Sequence, residues 1–565
     1  MQLVYNLFFM FGGVAAMMIG MRTMGNALEQ VAGRGMKKLL GKATTNRFAG
    51  VGVGIAVTSI IQSSTATTVM LVGFVNIGLM TLVQATNVIM GANIGTTVTA
   101  HIVSLSGVGN IDIGAIAAMI GCAGILMAML IKNEKIVSVG NILAGLGLIF
   151  VGLEFISTYA KLIMFENDGG IYKLDELGNK IPYAWVQKIF QGDHFPLLLI
   201  LIGIIITAFV HSSSTITSLM VVLASIGVLS FDNALFLALG SNIGTCITSL
   251  MSSAGTHVNA KRTALVHLLF NLFGCVLFVV PIWIFKSKIA GFFASMSNDV
   301  GQQIAIFHTL FNVVTTAILL PFSPYVVKLA CAIVKEKKET ENEEFHLQFI
   351  DDRFMETPAI AVSITKDEIV RMAGIAKTNL NLAMNFLLDD DAEEPTAFKK
   401  NEEELNYLNK TISNKLTKLI GKDLTEFEDK KVGSYYHVVS DLERVGDYAE
   451  NIIEYSLKLR EEGLSFSSDA KLELQEFINA VNDLFDYAIA SFGDRNYTLL
   501  SKVEELEEKI DDLAEKFENN HIERLKKGQC TSWLGSVYLK TLSHLERIGD
   551  HVNNVAISIK QYINK

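Results

Sequence analysis

Residues 58–68 read TSIIQSSTATT, and residues 207–217 read TAFVHSSSTIT. The same offset of 149 residues carries GANIGTTVT at 91–99 onto GSNIGTCIT at 240–248 without a gap. Two linked motifs recurring at one constant spacing mark an internal duplication. From Phe48 to Ala100 there is no Asp, Glu, Lys or Arg, yet positions 62–68 place seven polar or small residues in a row. In hydrocarbon such a break is costly unless it lines a cavity or is buried in protein. The pattern predicts a helical hairpin or interrupted helix at Gln-Ser-Ser-Thr, and a second interruption at 93–99. Paired interruptions at matching points of two repeats point to a transporter site near the membrane midplane. A lone Ser-Ser-Thr would be read as helix packing, but packing does not require both motifs to recur together. Weaker echoes frame the pair: Gly13 and Gly20 match Gly145 and Gly152, and HLLFN at 267–271 resembles HTLFN at 308–312.

The wider composition agrees with membrane insertion. Half of the 565 residues are apolar and 18% are charged, and apolar runs reach the roughly 20 residues that cross a bilayer as a helix. The first run begins at Leu3 with neither a basic segment before it nor a small-residue cleavage site after it, which reads as a retained helix. Residues 1–334 carry 17 Lys+Arg against 11 Asp+Glu, and residues 335–565 carry 30 against 46. The two halves are therefore physically different. Expected boundaries are 1–334 for a transmembrane domain (repeats at about 5–131 and 140–330), 335–359 for a linker and 360–565 for a soluble domain. The basic stretches Arg34, Lys37, Lys38, Lys42, Arg47 and Lys335, Lys337, Lys338 place their ends, and the C-terminal half, in the cytoplasm. The 165–194 segment, with Glu166, Asp168, Asp175, Glu176 and Asp193, faces outward; Lys286 and Lys288 are the candidate exceptions. Asp112, Glu154 and Asp232 read as interfacial acids. The five cysteines form no spaced pairs, so neither a disulfide framework nor a cysteine metal site is expected.

Hydroxyl and amide oxygens suit a hard cation such as sodium, and helix N-termini suit an anion. No lysine or arginine lies in either core block. A doubly charged oxyanion buried without basic residues needs cations to enter with it. Cation coupling thus follows from the site.

QSSTATT with GANIGTT, then HSSST with GSNIGT, resembles the duplicated signature of the type II sodium/phosphate cotransporters over roughly residues 5–330. The resemblance implies an all-α, polytopic helical protein of two inverted repeats with re-entrant hairpins and broken helices. It implies phosphate at Gln62, Ser63, Ser64, Thr65, Asn93, Ser213, Ser214 and Asn242. It implies sodium at Thr96, His211, Ser212, Thr245 and Thr248; the residues of the first repeat themselves offer Thr99 as a further oxygen. The family usually has Gln at the start of both blocks, and here the second has His211. A neutral imidazole can donate to substrate and a protonated one competes with sodium; a structural histidine facing a neighbouring helix is equally consistent.

From about residue 360, apolar residues recur at three- and four-residue spacing among many charges, which predicts helices. SYYHVVSDLERVGDYAENI at 434–452 matches VYLKTLSHLERIGDHVNNV at 537–555. Two three-helix repeats follow, with helices starting near 366, 400, 430, 468, 497 and 531, forming a soluble antiparallel bundle. Glu443 with Asp447, and Glu546 with Asp550, each share a helical face. The duplicated LER-x-GD context resembles the phosphate-uptake regulator (PhoU) domain, which implies divalent, iron or zinc ions at these four carboxylates. Glu404 and Asp511 are the candidate additional ligands, poorly matched between copies.

The reading is sodium-coupled phosphate transport in the cell membrane, with the bundle regulating flux. Export of phosphate, another oxyanion, or a non-transporting signalling scaffold are the alternatives. Partners are phosphate, sodium and the lipid bilayer; a homodimer is compatible, and no nucleic acid is expected. No nucleophile–base arrangement or nucleotide motif supports an enzyme.

Overall fold

The computed structural model describes residues 1–42, 46–105, 113–168, 171–176, 178–336, 345–422, 424–494 and 496–562. Asp112, Lys337 and Lys338 lie outside them. The fold is all-α, a polytopic helical membrane unit joined in sequence to a helical bundle, and the contacts divide the chain into Met1–Glu339 and Thr340–Lys565.

The membrane unit runs α1 (Gln2–Lys42), α2 (Arg47–Ile61), α3 (Ser64–Asn76), α4 (Leu82–Ser104), α5 (Ile113–Leu130), α6 (Glu134–Met164), α7 (Ala184–Val186), α8 (Pro196–Val210), α9 (Ser213–Ser225), α10 (Phe231–Ser252), α11 (Val258–Ile284), α12 (Lys286–Met296), α13 (Val300–Leu319) and α14 (Ser323–Ile333). A two-residue strand pair, Asn167–Asp168 with Ile171–Tyr172, decorates the 165–194 segment. Among the described residues, five helical stretches are long and apolar enough to cross a membrane: Gln2–Val31, Lys135–Met164, and α10, α11 and α13. Ala184–Gln191 with Pro196–Val210, bent by 93°, is a sixth candidate. With 15, 13 and 13 residues, α2, α3 and α9 are each too short to cross alone.

Glycine seams hold these helices at backbone distance. A Cβ on Gly13 would lie 2.7 Å from the Gly152 oxygen, and one on Gly20 would lie 2.7 Å from the Gly145 oxygen. The Gly13/Gly20 and Gly145/Gly152 echo is therefore one antiparallel seam between α1 and α6, in the manner of small-residue membrane packing. The duplication extends to contacts: a Cβ on Gly91 would fall 2.0 Å from the Val51 oxygen, and on Gly240 2.1 Å from the Ile200 oxygen. In each repeat α2 or α8 is thus pressed against α4 or α10 at equivalent points. The tight turns recur too, with Gly78 and Gly227 at φ of 73° and 80°.

One expectation fails. Positions 93–99 and 242–248 do not interrupt their helices, because α4 and α10 run continuously through them. The polar side chains bond back to carbonyls four residues earlier: Thr96 Oγ1 to Ala92 O and Thr245 Oγ1 to Ser241 O, both 3.0 Å, and Asn93 Nδ2 to Ile89 O, 2.9 Å. Such back-bonding satisfies the hydroxyls without opening the backbone.

Lys286 Nζ lies 2.9 Å from Asp193 Oδ1 and 3.4 Å from Asp232 Oδ2. It therefore shares a membrane side with the acidic 165–194 segment. Glu154 lies on the exposed side of α6, accepting from Thr158 Oγ1 at 3.0 Å. All five cysteines are free thiols.

The second unit contains α15 (Pro358–Leu388), α16 (Thr396–Leu419), α17 (Glu426–Glu461), α18 (Ser468–Asp494), α19 (Leu500–Lys526) and α20 (Ser532–Ile557). The first helix starts earlier than its periodicity suggests, because Pro358 occupies the first helical position, where its missing N–H costs nothing. Fully buried Tyr435, Tyr538, Phe477, Phe485, Phe492 and Phe517 fill the core.

Candidate functional site

Both polar blocks fall at helix breaks of the same construction. α2 ends at Ile61 and α3 begins at Ser64; α8 ends at Val210 and α9 begins at Ser213. Among the described residues, Gln62 (φ 58°) and His211 (φ 57°) are the non-glycine residues with positive φ. This conformation is unfavourable for a residue with a Cβ, and the surroundings hold it in the same way twice. The Gln62 N–H donates to Thr58 O and the His211 N–H to Thr207 O, both at 2.8 Å. Each side chain then reaches a threonine 37 positions onward: Thr99 Oγ1 donates to Gln62 Oε1 at 2.8 Å, and His211 Nδ1 meets Thr248 Oγ1 at 3.2 Å. Gln62 Nε2 also donates to Ser59 O.

The next residue caps the next helix. Ser63 Oγ accepts from Ala66 N at 3.1 Å, and Ser212 Oγ accepts from Thr215 N at 3.2 Å. The carbonyls of Ser63 and Ser212 take Thr67 N and Ile216 N. Helix geometry leaves the N–H groups at Ser64 and Thr65, and at Ser213 and Ser214, without intrahelical partners. Ser64, Ser213 and Ser214 are buried and Thr65 is half-buried. Two buried helix N-termini therefore present N–H pairs and hydroxyls with no lysine or arginine in the blocks.

The repeats are crossed. α3 packs on α10, and α9 packs on α4. Asn93 on α4 accepts from Asn271 Nδ2 on α11 at 3.5 Å; Asn242 on α10 meets His308 Nε2 on α13 at 3.0 Å. Among the described residues no hydrogen bond joins the 62–68 block directly to the 211–217 block. Ser212, Thr245 and Thr248 keep distinct local partners: Ser212 Oγ pairs with Thr215 Oγ1 at 2.8 Å, Thr245 with its own helix and Thr248 with His211. The residues that sequence reasoning left without a role are His267, Asn271, His308 and Asn312; the HLLFN/HTLFN echo was their signal.

In the bundle, Glu443 and Asp447 share a face of α17, and Glu546 and Asp550 share a face of α20. Each aspartate lies near its own helix's arginine: Arg444 Nη1 to Asp447 Oδ2 is 3.4 Å, and Arg547 Nη1 to Asp550 Oδ2 is 3.8 Å. Glu404 is engaged elsewhere, in an ion pair with Arg371. Its neighbour Glu402 faces the first pair instead, with its Oε2 3.0 Å from where a Cβ on Gly446 would stand. Burial, then Glu450, Asp447 and Glu443, push the Glu402 carboxyl up to about 7. Burial followed by Asp447 raises Glu443, and burial followed by Asp550 raises Glu546. Among the described residues, no group of three or more His, Cys, Asp or Glu side chains forms a set that could hold a metal ion. As placed, the four carboxylates do not fit the metal site that the PhoU resemblance implies.

Matched helix breaks in a duplicated, all-helical membrane unit define a membrane transporter class of protein. Residues 16–158 and 185–311 match the Na+/Pi-cotransporter family, and residues 369–456 and 474–559 match the PhoU domain. The chain belongs to the Na+/Pi-cotransporter family and carries PhoU domains in its C-terminal half. The "Putative inorganic phosphate export protein YjbB" of Escherichia coli K12 is 24% identical over 560 residues, 98% of this chain and 97% of that one. The "Uncharacterized protein YqeW" of Bacillus subtilis is 31% identical over 285 residues, covering 50% of this chain and 84% of that protein. The "Sodium-dependent phosphate transport protein 2C" of Rattus norvegicus is 36% identical over 154 residues, 26% of this chain and 24% of that one. The family is one of phosphate transporters rather than enzymes.

Proposed function

We propose that the membrane unit carries inorganic phosphate across the cell membrane by coupling its movement to sodium, with the C-terminal bundle in the cytoplasm regulating flux. The observation that carries this reading is the matched pair of breaks, each with a left-handed residue tied to a threonine and a serine-capped helix start behind it. Phosphate is assigned to Gln62, Ser63, Ser64, Thr65, Asn93, Ser213, Ser214 and Asn242, where helix N-termini favour negative charge. Sodium is assigned to Thr96, His211, Ser212, Thr245 and Thr248, whose hydroxyl and backbone oxygens are hard ligands, with the His211 ring on Thr248 positioning that hydroxyl. Without lysine or arginine in the blocks, the cation neutralises the anion during passage. The rat relative's name supports sodium as the coupling ion.

The test is radiolabelled phosphate uptake into proteoliposomes under an imposed sodium gradient, comparing wild type with Ser212→Ala and Gln62→Ala. Sodium-dependent accumulation that is lost in both variants supports coupling through both repeats. Uptake that ignores sodium and follows a pH gradient moves the coupling role to protons and His211. A second reading, export, draws on the relative matched over 98% of this chain, whose name refers to phosphate export. Flux measured in both directions from oriented vesicles separates the two.

A further inference from the structure

HLLFN at 267–271 and HTLFN at 308–312 lie within α11 and α13. Their histidines and asparagines are buried, none more than 2% exposed. In both motifs the asparagine Nδ2 donates to the histidine carbonyl four residues earlier, at 3.0 Å for Asn271 and 2.9 Å for Asn312. That bond orients the amide, and in both cases Oδ1 has no partner. Each histidine also uses a single nitrogen: His267 Nδ1 meets Ser249 Oγ at 3.2 Å, and His308 Nε2 meets Asn242 Oδ1 at 3.0 Å. His267 Nε2, His308 Nδ1 and Asn242 Nδ2 are left without partners. Cys246 joins the two motifs into one network, its Sγ lying 3.3 Å from Asn271 Nδ2 and 3.6 Å from Asn242 O.

Orphaned polar atoms are rare in protein interiors, and several in one network call for a missing ligand or water. Their chemistry identifies the ligand. With Asn242 Oδ1 as its acceptor the His308 ring carries its proton on Nε2 and presents Nδ1 as an acceptor, while Asn242 Nδ2 is the one unpartnered amide donor of the network. Asn271 Oδ1 and Asn312 Oδ1 are acceptors as well. An acceptor beside an oxyanion oxygen is repulsive unless that oxygen bears a proton. The helix N-termini already supply donors, and both signature asparagines, Asn93 and Asn242, are gripped by this network.

We propose that the two H-x-x-x-N motifs form the selectivity element of the oxyanion site, one of their acceptors taking the hydrogen bond of the single P–OH group of hydrogen phosphate and thereby excluding sulfate. This deepens the transport reading above and rests on it. Sulfate is similar in size and charge to the dianion of phosphate but carries no proton at neutral pH. It would leave the acceptors unpaired against negative oxygens. Sites built to bond a substrate O–H reject analogues that lack it by large factors, up to about 10⁴–10⁵.

The experiment measures phosphate uptake by the full chain in proteoliposomes, with and without a hundredfold excess of sulfate, alongside thermal unfolding of the detergent-solubilised protein with phosphate, sulfate or neither. Wild-type uptake is expected to be indifferent to sulfate. Asn312→Leu and Asn271→Leu should each raise the KM for phosphate about tenfold or more and make sulfate an effective competitor. The unfolding temperature of Asn312→Leu without anion should be unchanged or higher, because an apolar group replaces an orphaned acceptor, whereas Asn271→Leu also removes the donor to Asn93 and is read by its KM and sulfate competition alone. His308→Gln, which keeps a donor for Asn242, should bind phosphate better than His308→Ala. Wild-type KM and sulfate exclusion in both leucine variants would overturn the proposal and assign the orphaned atoms to resident water. If a leucine variant does not stay monodisperse, Asn312→Ser is read by the same criteria. A wild type that moves no phosphate defeats the transport reading first, before any variant is compared.

Discussion

Replacing Glu402 with glutamine tests the electrostatics of the bundle. An isolated glutamate titrates near 4.5, and in the fold Glu402 is pushed up to about 7 by burial and by Glu450, Asp447 and Glu443. Below 4.5 both folded and unfolded chains hold the proton. Between 4.5 and 7 the folded chain alone holds it, so stability falls as pH rises through this window, and the loss is complete above it. At about 1.4 kcal/mol per pH unit the loss reaches roughly 3 kcal/mol, an upper figure because solvent on the open side of the cluster screens the charges. A neutral amide at this position resembles the protonated acid. The Glu402→Gln variant should therefore match wild type near pH 4.5 and exceed it at pH 8 by about 2–3 kcal/mol, about 4–12 °C in Tm for a unit of this size. Thermal unfolding of residues 345–565 from pH 4.5 to 8, backed by urea titration at both ends, provides the measurement. Equal stability of the two proteins at pH 8, with identical pH slopes, would refute the reasoning.

Three further outcomes are expected. Gly91→Ala and Gly240→Ala should each cost more than about 3 kcal/mol or prevent a monodisperse preparation, since their Cβ atoms would sit 2.0 and 2.1 Å from helix carbonyls; Gly52→Ala, with nothing within 4 Å, should be neutral by size-exclusion chromatography and Tm. Glu473→Gln should destabilise the bundle by about 3 kcal/mol in urea unfolding, because it removes the charge paired with Arg524, whose Nη1 and Nη2 lie 2.9 and 2.7 Å from the carboxylate in a largely buried site. Thr99→Val should cost about 1–2 kcal/mol by leaving Gln62 Oε1 with no donor, and a cost of zero in the Tm of the solubilised protein would place a water on that oxygen.

The breaks were legible because their cause is local. A run of hydroxyls in apolar sequence is costly wherever it falls, and the chain opens between Ile61 and Ser64 and between Val210 and Ser213, at the first residues of each run. The continuity of α4 and α10 was not legible, since Asn93, Thr96 and Thr245 can either line an opening or bond back to their own helix. Composition is identical in the two cases. The H-x-x-x-N echo was visible, but its contacts with Asn93 and Asn242 span 178 and 66 residues, and no periodicity reports such distances. In the bundle the three-helix repeats followed from spacing, whereas the choice of Glu402 over Glu404 depended on which side of α16 meets Gly446.

The crossing of the repeats also sets a schedule for synthesis. The first block leaves the ribosome with α3, which packs on α4 of its own repeat but also on α11 and α10, the latter beginning at Phe231. At elongation rates of about 5–20 residues per second, α3 must wait roughly 8–30 s for that partner. During the wait the side of α3 that will meet α10 and α11 has no protein to face, and lipid is a costly neighbour for any hydroxyl there. The nascent first repeat must therefore remain near water or the insertion machinery until the second has been threaded. A ribosome stalled before residue 231 would hold a chain with all the residues of its first signature and only the α2 and α4 part of the surface that shelters them.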